Sequence, residues 1–508
     1  MIRRSSFALL VAVALLVAAD PASRAQEDAS KHFTILYTTD IHAHYLGKDD
    51  GKGQRNGGMA ALAAKVKEIR AESKNPVFLF DSGDVLTGHP ISDLDWEGVQ
   101  GGALFEMMNL VGYDAWCIGN HDFDHGRENV AKMIEFLHFP TLSANLTVEG
   151  DPALKVQRWK VIEKGGIKLG VFGLITEQLD RVTGADKIRG IRATSAANAA
   201  REAIAALGSH CDAIVALSHC GSDDDMKLCD AVQGIDIILS GHNHRPLRPA
   251  RHGDTIVTEA PVWAERLGRL DLSLRDGKLH FKSKEKFVDL EPAEPTGELK
   301  AVFDKVHEAV GKRLEEVLGK VETPLTRSNT AESNSGNFFA DGLKSRTKSD
   351  CAFLNSGGIR ADHKGAEITL GDVLEIFPFE NVVVTFEVTG EGLKKICEKN
   401  ANACLGNEKY GILQTAGVRY EYTPESGKPV VSNVTVNGEP VDPSKKYRCA
   451  SIDFIAVDQH EKYFGTDVKV ENVEKPGVLL SKVEEDWVRE QGKKGPIHAE
   501  VDGRQKRK

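Results

Sequence analysis

Five short strings carry side chains of the kind that bind divalent metal: Asp40-Ile41-His42, Gly83-Asp84, Gly119-Asn120-His121-Asp122, Ser218-His219 and Gly241-His242-Asn243-His244. Carboxylate, amide oxygen and imidazole are hard-to-borderline donors that suit Zn, Mn or Fe. Asp40 and His42 sit two apart, so both can turn to one ion. Asp84 has two carboxylate oxygens, enough to bridge a pair. Asn120 offers a neutral oxygen that keeps the total charge moderate, and His219, His242 and His244 add imidazole nitrogens. Two such ions about 3.5–4 Å apart form a clamp for in-line attack on a phosphate. An isolated Asp-x-His or Gly-Asp says little. Gly-Asn-His-Asp and Gly-His-x-His in one chain, in this order, point to phosphoester chemistry.

Each string follows an apolar run that reads as a strand: residues 32–39, 76–80, 115–118, 211–217 and 235–239. Helical patterns over 59–70, 103–110 and 130–137 alternate with them. Short apolar runs alternating with helices predict a layered α/β fold. Open α/β sheets bind ligands beyond the C-terminal ends of their strands, where loops from several strands meet. Two segments read instead as hairpins: 159–174 around Lys164-Gly165-Gly166, and 270–281 around Asp276-Gly277. A Pro-punctuated break at 291–297 precedes a charged helix expected from 298 to 320. The spacing therefore predicts a metal domain at 30–290, a linker helix within 291–320 and a second α/β domain at 321–502.

The 508 residues are 41% hydrophobic and 28% charged, the balance of an ordinary globular protein. A net charge of -10 argues against nucleic acid as partner. A small phosphorylated substrate is compatible with it, because a metal pair creates a local positive site. Arg3, Arg4, the apolar run 7–19 and Ser23-Arg24-Ala25 read as an export signal cleaved after Ala25. The run is shorter than a comfortable membrane span, so no stable membrane insertion is expected, an uncleaved anchor being the alternative. Removing 1–25 leaves a periplasmic or secreted chain about two charges more negative. All eight cysteines lie in the mature part. Cys397 and Cys404 are near enough in sequence to close a small loop, with free buried thiols as the rival reading. Oligomeric state is not legible.

The order Asp-x-His, Gly-Asp, Gly-Asn-His-Asp, Ser-His, Gly-His-x-His resembles the calcineurin-like metallophosphoesterases. The longer string Gly119-Asn120-His121-Asp122-Phe123-Asp124 with Gly126 resembles their 5′-nucleotidase branch. The resemblance implies a four-layer α/β/β/α metal domain joined by a helix to a smaller α/β substrate-binding domain. It implies one ion on Asp40, His42, Asp84 and His244, and another on Asp84, Asn120, His219 and His242. It further implies attack by a metal-bound hydroxide, with His121 and Asp124 as a catalytic dyad. Asp122, next to the His, is the alternative orienting carboxylate, although its side chain is expected to point elsewhere.

In the second half, Glu332-Ser333-Asn334 reads as a capped helix start. Asn355-Ser356-Gly357-Gly358-Ile359-Arg360 follows a strand, and its paired glycines allow close backbone approach. The resemblance makes Asn355, Gly358 and Arg360 substrate contacts, with the guanidinium gripping phosphate. It also makes Phe379 and Phe454 the two aromatic faces that sandwich a nucleobase. The chain departs from the family after Phe454: Val457-Asp458-Gln459-His460 replaces the usual Gly-Gly-Asp, and upstream only Arg327 stands where arginines cluster. The expected reaction is therefore hydrolysis of nucleoside 5′-phosphates. Nucleotide sugars, cyclic nucleotides, sugar phosphates or a thiosulfate ester are alternative substrates for the same scaffold.

Overall fold

The computed structural model describes residues 31–508 apart from 50–54, 151–153, 276, 282–286, 380, 409–410 and 476. The segment read as an export signal, the hairpin residue Asp276 and Glu380 lie outside the described residues.

Two sheets stacked face to face form the first domain. One runs in the order Lys278–Phe281, Arg266–Arg275, Lys31–Thr38, Val77–Asp81, Ala115–Cys117, Thr141–Leu142. The other runs Trp159–Lys164, Ile167–Ile175, Ala213–His219, Ile237–Ser240, Thr255–Glu259, Leu247–His252. Period-two alternation sorts the side chains. Phe33, Ile35 and Tyr37 point into the space between the sheets and meet Phe78, Phe80, Val215, Leu217 and Leu239 there, while Leu36 points outward. Outside the first sheet, Leu36, Leu79 and Trp116 pack on Leu62, Val66, Leu104 and Met108 of helices Gly58–Glu72 and Gly102–Val111. Outside the second, Phe172, Leu174 and Ala216 pack on the alanine face of helix Ala196–Leu207. The result is the expected α/β/β/α stack. Truncating a fully buried Phe78 or Phe80 to Ala costs about 3–5 kcal/mol and loosens the layer under the site. Both expected hairpins form, with Lys164 paired to Ile167 and Arg275 to Lys278.

Helix Gly297–Leu314 buries Leu299, Val302, Phe303, Val306 and Val310 against the first domain. It is shorter than the sequence suggested. Val317–Lys320 pairs as a strand with Glu367–Thr369 and begins the second domain. β-branched Val317 and the poor helix former Gly319 favour that outcome, and Leu318 is buried by it. Leu314 packs against both cores and marks the junction. The second domain holds a sheet in the order Leu413–Ala416, Cys351–Asn355, Lys446–Ile452, Val383–Thr389, Glu471–Glu474 and a smaller four-stranded sheet. No described helix is long and apolar enough to cross a membrane.

All eight cysteines are free. Cys397 and Cys404 do not close a loop, because both lie on helix Gly390–Cys404, two turns apart. Seven residues of helix rise roughly 10 Å, beyond the reach of a disulfide.

Candidate active site

The five strings meet at the C-terminal edge of the stacked sheets. Strands Lys31–Thr38, Val77–Asp81 and Ala115–Cys117 deliver Asp40, Asp84 and Asn120 from one sheet. Ala213–His219 and Ile237–Ser240 deliver His219 and His242 from the other. The backbone there is unusual. Asp40, His42, Asp84, His242 and His244 all adopt positive φ, between 46° and 87°. Left-handed backbone at non-glycine residues carries strain, which persists where the surroundings over-determine it and clusters at functional sites. Close approach explains the neighbouring glycines. A Cβ on Gly119 would overlap the Asp84 carboxylate, and one on Gly241 would lie 3.0 Å from Asp40 Oδ2.

Two groups of ligand atoms result. Asp40, His42 and His244 form one, and Asp84, His219 and His242 the other, each with its atoms within 4.8 Å of one another. Asp84 Oδ2 stands 3.0 Å from His219 Nε2 and 3.8 Å from His42 Nε2, so it faces both groups. Asp40 Oδ1 lies 3.3 Å from His244 Nε2, while its Oδ2 accepts from Thr39 Oγ1 at 2.5 Å and His242 N at 3.0 Å. His42 Nδ1 faces Leu86 O at 3.1 Å, and His219 Nδ1 donates to Ser82 O at 2.7 Å. Each ring is thereby fixed with Nε2 turned inward, the orientation that second-layer hydrogen bonds give to metal-ligating histidines. Asn120 Oδ1 is buried and lacks a hydrogen-bond partner among the described residues, while His219 Nε2 meets only the Asp84 carboxylate. Buried polar atoms left unmade are costly. An unpartnered buried amide oxygen on the loop that His121 N ties to Asp84, beside a carboxylate–imidazole cluster, fits divalent ions.

The ionisation states follow from crowding. Burial opposes the charge on Asp40, but the hydrogen bond and charge of His244 outweigh it and hold the carboxyl below its usual range. Burial likewise opposes Asp84, but His219 and His121 hold it well down. Burial, reinforced by His244, presses His42 down to about 3. Burial and His219 press His242 down to about 4. His219 goes the other way, to about 10, because Asp84 overcomes its burial. Four of these groups thus divide into two anions beside two neutral rings.

His121 Nδ1 donates to Asp124 Oδ2 at 2.9 Å, and its ring lies 5.2 Å from that of His42. Burial disfavours the charged ring, yet Asp124 and then Asp84 push it up to about 9, so it holds a proton near neutrality. The backbone N–H of His121 donates to Asp84 Oδ1 at 2.8 Å and locks the two loops together. Asp122 points away from His121. Its carboxylate accepts the N–H groups of Asp84, Val85, Leu86 and Gly119 at 2.8–3.2 Å. Its place next to His121 led to the expectation that it points elsewhere but could not reveal this clamp.

The second-half residues lie in the second domain. Asn355 is buried at the end of strand Cys351–Asn355, with its amide oxygen 2.8 Å from where a Gly358 Cβ would be. Arg360 is exposed, donates to Gly357 O at 3.1 Å and lies 5.7 Å above the Phe379 ring. Phe379 is 46% exposed, far more than a core Phe. Phe454 is half-buried against Tyr463 and opens the π-helical turn Phe454–Asp458. The second domain also reaches the metal edge at a point sequence reading missed: a Cβ on Gly477 would lie 2.6 Å from His121 Nε2. Of the residues flanking the strings, Asn243 Oδ1 accepts from Ser222 N at 2.9 Å and Arg245 pairs with Asp223 at 3.1 Å, which are structural ties. Trp263, at φ 62°, stacks on His44 at 5.0 Å and edges His244, a wall that no local motif announced.

The comparisons with known proteins agree with this geometry. The family model described as calcineurin-like phosphoesterase matches residues 33–246, and the 5′-nucleotidase C-terminal domain matches 314–464. Protein UshA of Yersinia enterocolitica is 29% identical over 510 residues, covering 89% of this chain and 90% of that protein. A 5′-nucleotidase precursor from Thermus thermophilus aligns over 94% of this chain and 99% of its own, at 25% identity and a TM-score of 0.58. The NAD nucleotidase of Haemophilus influenzae shares the fold over 94% of this chain and 99% of its own, at 20% identity and a TM-score of 0.75. With both halves matched in order, the chain belongs to the 5′-nucleotidase branch of the calcineurin-like phosphoesterases and is a metal-dependent phosphoester hydrolase.

Proposed function

We propose that this enzyme is exported and hydrolyses nucleoside 5′-phosphates to nucleoside and phosphate with two divalent ions. The observation that carries the reading is Asp84, whose Oδ2 faces both ligand groups. Asp40, His42, Asp84 and His244 would hold one ion; Asp84, Asn120, His219 and His242 the other. When bound, such a pair supplies Lewis acidity and acidifies water. Asp124 holds His121 by Nδ1, which leaves the Nε2 proton to face the phosphoryl group and the leaving oxygen. The exposed Phe379 ring with Arg360 above it supports base stacking and an anion grip on the second domain. Asn355, Gly358 and Phe454 would add further substrate contacts.

Val457 is 42% exposed beside Phe454, where the family's Gly-Gly-Asp would stand, so base recognition is the part most altered. A phosphate-release panel tests the reading: AMP and other nucleoside monophosphates, UDP-glucose, cyclic nucleotides, sugar phosphates and a thiosulfate ester. Release from nucleoside monophosphates supports it. Release only from another ester, or sulfate release alone, rejects it in favour of that substrate. Amino-terminal sequencing of the exported protein tests cleavage after Ala25; retention of residues 1–25 would reject it.

A further inference from the structure

We infer that Thr87 is a positioning residue for the His121–Asp124 pair, acting through its hydroxyl on the Asp124 carboxylate. The inference rests on the proposed role of His121. Thr87 Oγ1 donates to Asp124 Oδ2 at 2.5 Å, the same oxygen that receives His121 Nδ1 at 2.9 Å. Asp124 needs such a tether. Its side chain is 35% exposed, and a solvent-facing carboxylate otherwise turns freely between rotamers.

A second, independent observation is the backbone. Thr87 lies at φ 72°, a region where a β-branched residue is a genuine outlier. The surroundings impose that conformation. Leu86 is pinned on both sides, its N–H donating to Asp122 at 3.2 Å and its carbonyl facing His42 Nδ1 at 3.1 Å. Thr87 N then donates to Ser92 Oγ at 2.9 Å. Glycine would fit this backbone with less strain, and what threonine adds there is a hydroxyl aimed at Asp124. Strain held at a functional site for the sake of one directed group is the pattern expected of a positioning residue.

The test compares Thr87→Val, Thr87→Ser, Thr87→Gly, His121→Ala and the Thr87→Val/His121→Ala double variant. Turnover uses whichever phosphoester the wild type hydrolyses, with metal content and Tm measured alongside. Thr87→Val is expected to lower kcat about tenfold, a fraction of the roughly 10²–10⁴ that a positioned acid–base group supplies. KM and metal content should stay within about twofold, and Thr87→Ser should restore most of kcat. Thr87→Gly should lose kcat as Thr87→Val does while its Tm does not fall. In the His121→Ala background, Thr87→Val should add no further loss, since both act through one ring. Wild-type kcat in Thr87→Val overturns the inference, as does an undiminished loss in the His121→Ala background. So does a loss of kcat that tracks falling Tm and metal content. If His121→Ala keeps wild-type turnover, the proposed role of His121 fails and Thr87 fails with it; if only Thr87→Val is silent, the proposed function stands.

Discussion

Replacing Asp122 by Asn should damage both the stability of the metal domain and its hold on ions, although Asp122 touches neither substrate nor metal. Its Oδ1 accepts from Val85 N and Leu86 N, and its Oδ2 from Asp84 N and Gly119 N. Those donors lie on the two loops that carry Asp84 and Asn120, and the side chain is fully buried. Burial and the charge of Asp84 push the carboxyl up to about 7, against the pull of the Gly119 N–H, the His219 charge and the Leu86 N–H. An asparagine oxygen can serve one pair of donors. Its amide group then faces the other pair, donor against donor. Two buried N–H groups left unmade cost about 1–3 kcal/mol each, so roughly 2–6 kcal/mol in all. For a domain of this size that lowers Tm by roughly 5–20 °C. Loops released from the clamp should also lower ion affinity about 10–100-fold, the usual effect of losing an outer-layer support. Thermal melts by circular dichroism and competition with a chelating indicator measure the two quantities, with exposed Asp254→Asn as a control expected to move neither. Wild-type Tm together with wild-type ion affinity in Asp122→Asn would refute the clamp.

Three other outcomes follow from the geometry. Glu484 is fully buried in helix Leu480–Lys494, neither carboxyl oxygen has a partner among the described residues, and burial, aided by Asp341, raises its pKa well above normal. Above pH about 4.3 the unfolded chain gives up this proton while the folded chain keeps it, so stability falls by about 1.4 kcal/mol per pH unit until the folded group ionises. Glu484→Gln should therefore raise Tm at pH 7 and leave it unchanged below pH 4; an equal shift at both pH values would contradict this. Gly477→Ala puts a Cβ 2.6 Å from His121 Nε2 at a φ of 71°. The backbone strain costs about 1–2 kcal/mol, while kcat should fall tenfold or more because the ring or the second domain must move; unchanged kcat would show that this contact is not kept during turnover. Phe379→Ala removes a ring worth about 0.5–1.5 kcal/mol in stacking, so KM for a nucleotide should rise about 2–12-fold with kcat little changed, and an unchanged KM would remove Phe379 from the base site.

The metal edge was legible because its signals are local. An apolar run followed by Asp40-Ile41-His42 or Gly119-Asn120-His121 names both the strand and the ligand at its end. The partition into two groups around Asp84 came from family resemblance, and the ring orientations that support it depend on carbonyls such as Ser82 O and Leu86 O, which no residue type reveals. Asp122 and Thr87 stayed hidden for the same reason: apart from Gly119 N, the partners of the two side chains are backbone N–H groups and a carboxylate over 35 residues away. Gly477 is further still, on the other domain. The linker helix was read six residues too long because its charge pattern runs on past Leu314, while the pairing that ends it lies at Glu367–Thr369. The Cys397–Cys404 loop failed because closeness in sequence along a helix is separation in space.

Asp84 bridging two ions is the centre of the proposed chemistry. Metal analysis of the purified enzyme after loading with Mn or Zn, alongside phosphate release, tests that most directly. Wild type should bind two ions per chain and lose turnover on chelation, with recovery on adding the ion back. Asp84→Ala should lose at least one ion and nearly all turnover. Turnover that survives exhaustive chelation, or two ions and normal turnover in Asp84→Ala, would contradict it.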